Sequence, residues 1–103
     1  MNDIDLANAL VGHGIGHKRS KDTYFIAGYD ENATSFVTRA RVAMVCLTKC
    51  LRAGMSLLIS EGATGITWVQ LRREGDSKSM IAVNAMNDSP ERAICMAYVE
   101  SMG

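Results

Sequence analysis

Three cysteines and two histidines are the residues of this chain with the widest chemical reach. Cys46 and Cys50 stand four positions apart, which on a helix puts both thiols on one side. With Cys95 and a histidine they could supply four zinc ligands. Structural zinc sites usually draw at least one cysteine pair from a tight Cys-x-x-Cys turn, and the chain has none. Free cysteine packs as a small apolar group, so the three thiols read as buried and inert. His13 and His17 are also four apart, but Gly14 and Gly16 between them oppose the helix that would aim both rings at one ion. No metal is expected.

Gly12-x-Gly14-x-Gly16 has the composition of a phosphate-cradling loop but the wrong setting. A dinucleotide loop follows a strand and opens a helix; here a helical pattern precedes and a polar turn follows. Nucleophilic catalysis needs Ser or Cys beside a histidine and a carboxylate in a strained turn, and no segment has that form. The carboxylates are scattered. The chain is therefore expected to be no enzyme and to need no cofactor.

What remains are binding residues. Lys18, Arg19 and Lys21 form one tight basic cluster, and Arg72 and Arg73 form another; folded side by side they would make a positive patch for nucleic acid or an acidic protein surface. Tyr29 and Trp68 are the aromatic side chains that could anchor a partner, since Trp, Tyr and Arg carry much of the energy of protein interfaces, with a place in the core as the other reading of Trp68. Among the seven methionines, Met44, Met80, Met86, Met96 and Met102 fit core or near-core positions, with a partner-facing position as the alternative, above all on the third strand of the meander. Met80, Ala82, Asn84 and Met86 share one face of a strand, and Ile81, Val83 and Ala85 the other. Neither face is strongly polar, so the sheet is expected to be covered either by helices on both sides or in part by another chain. The second case makes self-association as a homodimer an expectation to test.

The elements that must position these residues follow from periodicity. Asn2 or Asp3 caps a first helix with Ile4, Ala7, Leu10 and Val11 on one face, stopped by Gly12. Lys18–Asp22 reads as an exposed polar turn, Tyr24–Ala27 as a short strand, and Asp30-Glu31-Asn32 as a turn. From about Thr34 to Arg52, Phe36, Ala40, Ala43, Leu47, Cys50 and Leu51 recur at helical spacing, with Val42 and Met44 widening the stripe. Gly54 ends it, with Lys49 and Arg52 in the last turn, where the helix dipole favours cations. The period then changes to strands at Met55–Ser60, Ile66–Arg73 and Ser79–Met86, joined by turns at Glu61–Gly65 and Gly75-Asp76-Ser77. In the second of these, Ile66, Trp68 and Gln70 alternate with Thr67, Val69 and Leu71. Ser89, Pro90 and Glu91 start a last helix with Ile94, Ala97, Tyr98 and Met102 inside. The fold class is α+β: one domain over residues 1–103, a small antiparallel β-meander packed with three helices in the order α-β-α-β-β-β-α.

The segment Asp88-Ser89-Pro90-Glu91-Arg92-Ala93-Ile94-Cys95-Met96-Ala97, reached through a long helix and a meander, resembles the small phage proteins called phage α/β/α-sandwich domains. Those end in an acidic-Thr/Ser-Pro turn followed by an Ala-Ile-Cys-x-Ala helix. Leu10-Val11 with Gly14-Ile15-Gly16-His17 is similar to their short first helix and its exit, with His17 where an aromatic such as Trp is common. The resemblance spans most of the chain; its specific part is Ser89–Ala97. It brings no catalytic residues to carry over, and implies a phage or prophage gene.

Composition narrows the partner. Hydrophobic residues make up 48% and charged residues 21%, ordinary for a globular domain. Eleven Lys and Arg balance eleven Asp and Glu, whereas nucleic-acid binders usually carry a basic excess. The apolar run Val42–Leu47 is too short to span a bilayer, Asp3 and Asp5 interrupt any secretory signal, and an odd cysteine count fits a reducing cytoplasm. The expectation is a cytoplasmic, non-enzymatic accessory protein that binds and blocks a host protein. That protein is expected to be a defence component such as a CRISPR-Cas effector subunit, occluded in the manner of anti-CRISPR proteins. The alternative is a nucleic-acid-binding or regulatory module using the basic patch. No membrane is expected as a partner.

Overall fold

The computed structural model describes residues 1–62, 64–74 and 79–102. Asn2 opens helix α1 (Asp3–Gly12): its Oδ1 accepts from the Asp5 amide at 2.8 Å, satisfying one of the free donors at a helix start. The helix buries Leu6, Ala7 and Leu10. Ile4, expected on that face, is 53% exposed, because at 3.6 residues per turn it lies about 200° around the helix from Leu6. The exit passes Gly14 and Gly16. A side chain at Gly16 has no space: a Cβ would stand 2.7 Å from the Phe25 carbonyl oxygen and 2.9 Å from Phe36 Cζ, at a φ of +71° that favours glycine in any case.

Residues 17–31 form a meander of three antiparallel strands, β1 (His17–Ser20), β2 (Thr23–Ile26) and β3 (Tyr29–Glu31), in the order β1-β2-β3. The sequence reading has a single strand here, between polar turns at Lys18–Asp22 and Asp30–Asn32. The turns are shorter than that. Lys21-Asp22 makes the first, and Ala27-Gly28 makes the second, with φ of +51° and +90°, the positive pair that a tight two-residue hairpin demands. β1 is hidden in the sequence because all four of its residues are exposed, leaving no apolar alternation to read.

The expected helix from Thr34 to Arg52 is two helices, α2 (Ala33–Val37) and α3 (Ala40–Arg52). Asn32 caps α2, accepting from the Ser35 amide at 2.8 Å. At the break Thr38 Oγ1 donates to the Thr34 carbonyl at 2.7 Å, and Arg39 is extended at φ −78°, ψ 130°. The Arg39 guanidinium donates to Glu31 and lies 4.2 Å over the Tyr29 ring, which anchors the reoriented chain on β3. The buried faces are then Phe36 and Val37 on α2, and Val42, Ala43, Cys46 and Cys50 on α3. Ala40, Met44 and Leu51, expected in the stripe, are exposed.

Beyond Gly54, β4 (Met55–Glu61), β5 (Thr67–Glu74) and β6 (Ser79–Asn87) form the second antiparallel sheet, in the order β4-β5-β6. The expected turn at Gly75-Asp76-Ser77 lies outside the described residues, as does Ala63 of the preceding turn. Thr67, Val69, Leu71 and Ala85 are buried on the inner face, against helix α4 (Pro90–Met102). Ser89 caps α4 as expected, its Oγ accepting from the Arg92 amide at 3.2 Å. The helix is not one-sided: Ala93, Cys95, Ala97, Tyr98 and Val99 are buried, while Ile94 and Met102 are half-buried. It packs on α1 and α3 as well as on β5 and β6. The class is α+β with the expected meander in the second half. The order among the described residues is α-β-β-β-α-α-β-β-β-α rather than α-β-α-β-β-β-α.

One polar knot ties the helices. Arg92 Nε donates to Asp3 Oδ1 at 2.7 Å and Nη2 to the Met1 carbonyl at 2.8 Å, while Thr34 Oγ1 donates to Asp3 Oδ2 at 2.8 Å. Asp3 thus links α1, α2 and α4. The Arg92 hydrogen bond, helped by that of Thr34, holds the Asp3 carboxyl below its usual value against the opposing effect of burial. Because the folded pKa is depressed, the stabilisation is present above the unfolded value of about 3.9 and is lost as pH falls through the folded one. Asp3→Asn should lower stability by about 1–2 kcal/mol at neutral pH. In urea melts the gap to the native chain should close as pH falls from about 5 towards 2; a gap that stays constant would mean the Asp3 charge contributes nothing.

Candidate functional site

The outer face of the second sheet is set by register. Trp68 on β5 lies between Ser60 on β4 and Met86 on β6, and Gln70 lies opposite Leu58. Partners in register share a face, so Leu58, Ser60, Trp68, Gln70 and Met86 all turn away from α4. Trp68 is 39% exposed, Met86 49% and Leu58 52%. One edge of the indole is steadied by the preceding turn: a Cβ on Gly62 would stand 3.5 Å from Trp68 Nε1, and the Gly62 amide donates to the Ile66 carbonyl at 2.9 Å. The result is an aromatic side chain on a rigid strand beside two flexible apolar ones. Met86, expected in or near the core, stands instead on this face, because Ala85 takes the buried position beside it. Arg72 continues the outer row in register with Ser56. The Arg73 and Met80 side chains lie outside the described residues.

Lys18, Arg19, Lys21 and Tyr29 lie together on the first sheet, apart from Trp68, Arg72 and Arg73 on the second. Their charges are largely engaged. The pairing of Lys18 with Tyr24 and of Ser20 with Thr23 leaves Arg19 as a bulge. Its guanidinium sits 4.0 Å over the Phe25 ring and 3.4 Å from Asp30. Lys18 Nζ donates to Asn8 Oδ1 at 3.0 Å and lies over the Tyr24 ring, whose hydroxyl donates to the same oxygen at 2.7 Å. Lys21 borders an open cleft with Asp22, Tyr24, Asp3 and Thr34. Tyr29 is exposed beneath the Arg39 guanidinium.

A different cationic surface escaped the sequence reading. Arg41, Lys49 and Arg52 line a shallow groove along α3 with Met44 and Thr48, and among the described residues no carboxylate is within ion-pair distance of these three. The available signal was helical spacing: Arg41 and Arg52 stand about three turns apart on one side of the helix.

Among the described residues no three His, Cys, Asp or Glu side chains gather to hold a metal. His13 caps α1 and packs edge-on to Tyr98 with centroids 5.5 Å apart, while His17 is exposed on β1. Cys46 donates to the Cys95 sulfur across 4.0 Å within the core. That contact, and then burial, pushes the Cys46 thiol far above its ordinary value. Burial likewise raises Cys50, against a hydrogen bond from Ser101, and raises Tyr98. These are thiols held protonated, the opposite of what a nucleophile needs.

Comparison with known proteins adds no relative: no protein-family model matches the chain, and no curated protein and no solved structure matches it. Among the described residues no helix is long and apolar enough to cross a membrane.

All three cysteines should resist a disulfide-exchange reagent at about pH 8 while the chain is folded and react together once it is denatured. Rapid labelling of even one in the native state would show an accessible thiolate.

Proposed function

We propose that this chain is a non-catalytic binding domain whose outer β4–β6 face seats on another protein and occludes it. The observation that carries this reading is the exposed row of Leu58, Trp68 and Met86 on a sheet face turned away from the helices. Large apolar side chains grouped on a rigid sheet favour association, and a tryptophan flanked by adaptable thioether and aliphatic neighbours suits the centre of an interface. The likeness of Asp88–Ala97 to phage α/β/α-sandwich proteins supports a host partner, a defence component such as a CRISPR-Cas effector subunit, in the bacterial cytoplasm. The protonated, buried thiols support a role without covalent chemistry.

A nucleic-acid role draws its support from α3, where Arg41, Lys49 and Arg52 are unpaired among the described residues, rather than from Lys18 and Arg19, whose heads are already engaged.

The tagged chain should recover a defence-complex subunit in stoichiometric amount from nuclease-treated bacterial lysate carrying CRISPR machinery. Met86→Glu, at an exposed position, should abolish that recovery while leaving the thermal melt near native. Recovery of no subunit, or equal recovery with Met86→Glu, would sink the reading. Retention of nucleic acid only when nuclease is omitted, lost on neutralising Arg41, Lys49 and Arg52, would replace it.

A further inference from the structure

Edge strands invite pairing with other chains, and folded proteins blunt them by shortness, charge, proline or bulges. Most strands at the edges of the two sheets show such a device. β1 carries Lys18 and the Arg19 bulge, β3 has three residues, two of them acidic, and β6 meets β5 with a register shift beside Leu71 and Arg72.

β4 shows none. It runs for seven residues, Met55–Glu61, longer than a typical strand of about five or six. Its ladder with β5 is unbroken from Met55 opposite Arg73 to Glu61 opposite Thr67. It holds no proline and no basic residue, and its one charge, Glu61, is at the end. Leu58 and Ile59 are 52% and 44% exposed. With the order β4-β5-β6, one side of its backbone has no strand partner among the described residues.

The five central residues of β4 also run alike in both directions from Leu58, aliphatic at one step and hydroxyl at two, while Met55 and Glu61 at the ends differ. We infer that β4 pairs antiparallel with β4 of a second copy, about a two-fold axis through Leu58. Leu58 then lies opposite its own counterpart, Leu57 opposite Ile59 of the second copy, and Ser56 opposite Ser60 of the second copy. Over the five central positions apolar meets apolar and hydroxyl meets hydroxyl, as an isologous interface requires, and only at the two ends does Met55 lie opposite Glu61 of the second copy. Moving the centre to Leu57 sets Leu58 against Ser56, and moving it to Ile59 sets Leu58 against Ser60, so both neighbouring registers lose the match beside the centre. Leu57 and Ile59 of the two copies pack over the seam on the inner side, where Ile59 is 44% exposed in the single chain. The product is one six-stranded sheet, β6-β5-β4 continued by β4-β5-β6 of the second copy. The inference stands whether or not the outer face binds a host protein.

Ser56 and Ser60 are both exposed and supply the test. The native chain should show dimer mass in light scattering, falling towards monomer on dilution. Ser56→Glu with Ser60→Glu sets like charges opposite each other twice and should raise the dimer dissociation constant by at least about tenfold. Ser56→Glu with Ser60→Lys sets opposite charges in the same two places and should restore the dimer. Within one chain both substitutions are tolerable, since Ser56 faces Arg72 and Ser60 faces Trp68 across the β4–β5 ladder. A native chain of monomer mass up to roughly millimolar concentration would overturn the proposal without any variant, and would leave the edge free for an extended peptide. So would a dimer on which the two double variants act alike.

Discussion

The structure depends on one helix being narrow enough to be surrounded. α4 meets α1, α3, β5 and β6, and it can do so because Ala93, Cys95 and Ala97, all fully buried, project so little from its axis. Interiors are packed to crystal-like density, so neighbours approach as closely as the side chains between them allow. Tyr98 and Val99 are the larger buried groups of α4; most of the others come from outside, with Leu6 and Leu10 from α1, Phe36 from α2, Val42 from α3, and Val69 and Leu71 from β5 in the same core. The cysteines fit this arrangement as small, slightly polarisable fillers, which accounts for their number without any reaction.

A central helix decides what is left outside. It takes up the inner face of β5 and β6 and one side of α3, so the apolar residues on the far sides have no layer to enter. Trp68, Leu58 and Met86 remain on the outer sheet, and Met44 and Leu51 on α3. Charge is distributed by the same geometry. The pairs Arg19–Asp30, Arg39–Glu31 and Arg92–Asp3 tie neighbouring elements together, and the first of them engages a cation of the cluster that looks most basic in the sequence. The surface that stays available is therefore more apolar on the sheet and more cationic on α3 than linear charge counts suggest.

Features that rest on local chemistry were legible from residues alone. Ser89-Pro90 set the start of α4 through a hydroxyl cap and a fixed φ, and the alternation of Thr67, Val69 and Leu71 with Trp68 and Gln70 marked the two faces of β5. Features set by distant contacts were not. Thr38 and Arg39 are acceptable helix residues, and the chain breaks there because Glu31 and Tyr29 hold the Arg39 guanidinium. β1 carries no apolar period because its function in the fold is to cover Tyr24 and donate from Lys18 to Asn8. Of the candidate site, Trp68 was legible as a lone tryptophan on a strand. Leu58 and Ile59 were not, since an apolar run reads as core until the sheet order shows that no strand among the described residues lies beyond it.

The position of α4 in the chain has a consequence for synthesis. Every element it packs against is translated before it, so a nascent chain must hold the faces of α1, α3, β5 and β6 without the helix that covers them. The contact between Asp3 and Arg92 closes a span of 89 residues, and although the entropy of closing a loop grows only slowly with its length, nothing can close before the second residue exists. The first meander, whose strand pairings stay within residues 17–31, depends least on that helix. Final consolidation must therefore come late in synthesis, and until α4 emerges the apolar faces that it covers stay open to solvent.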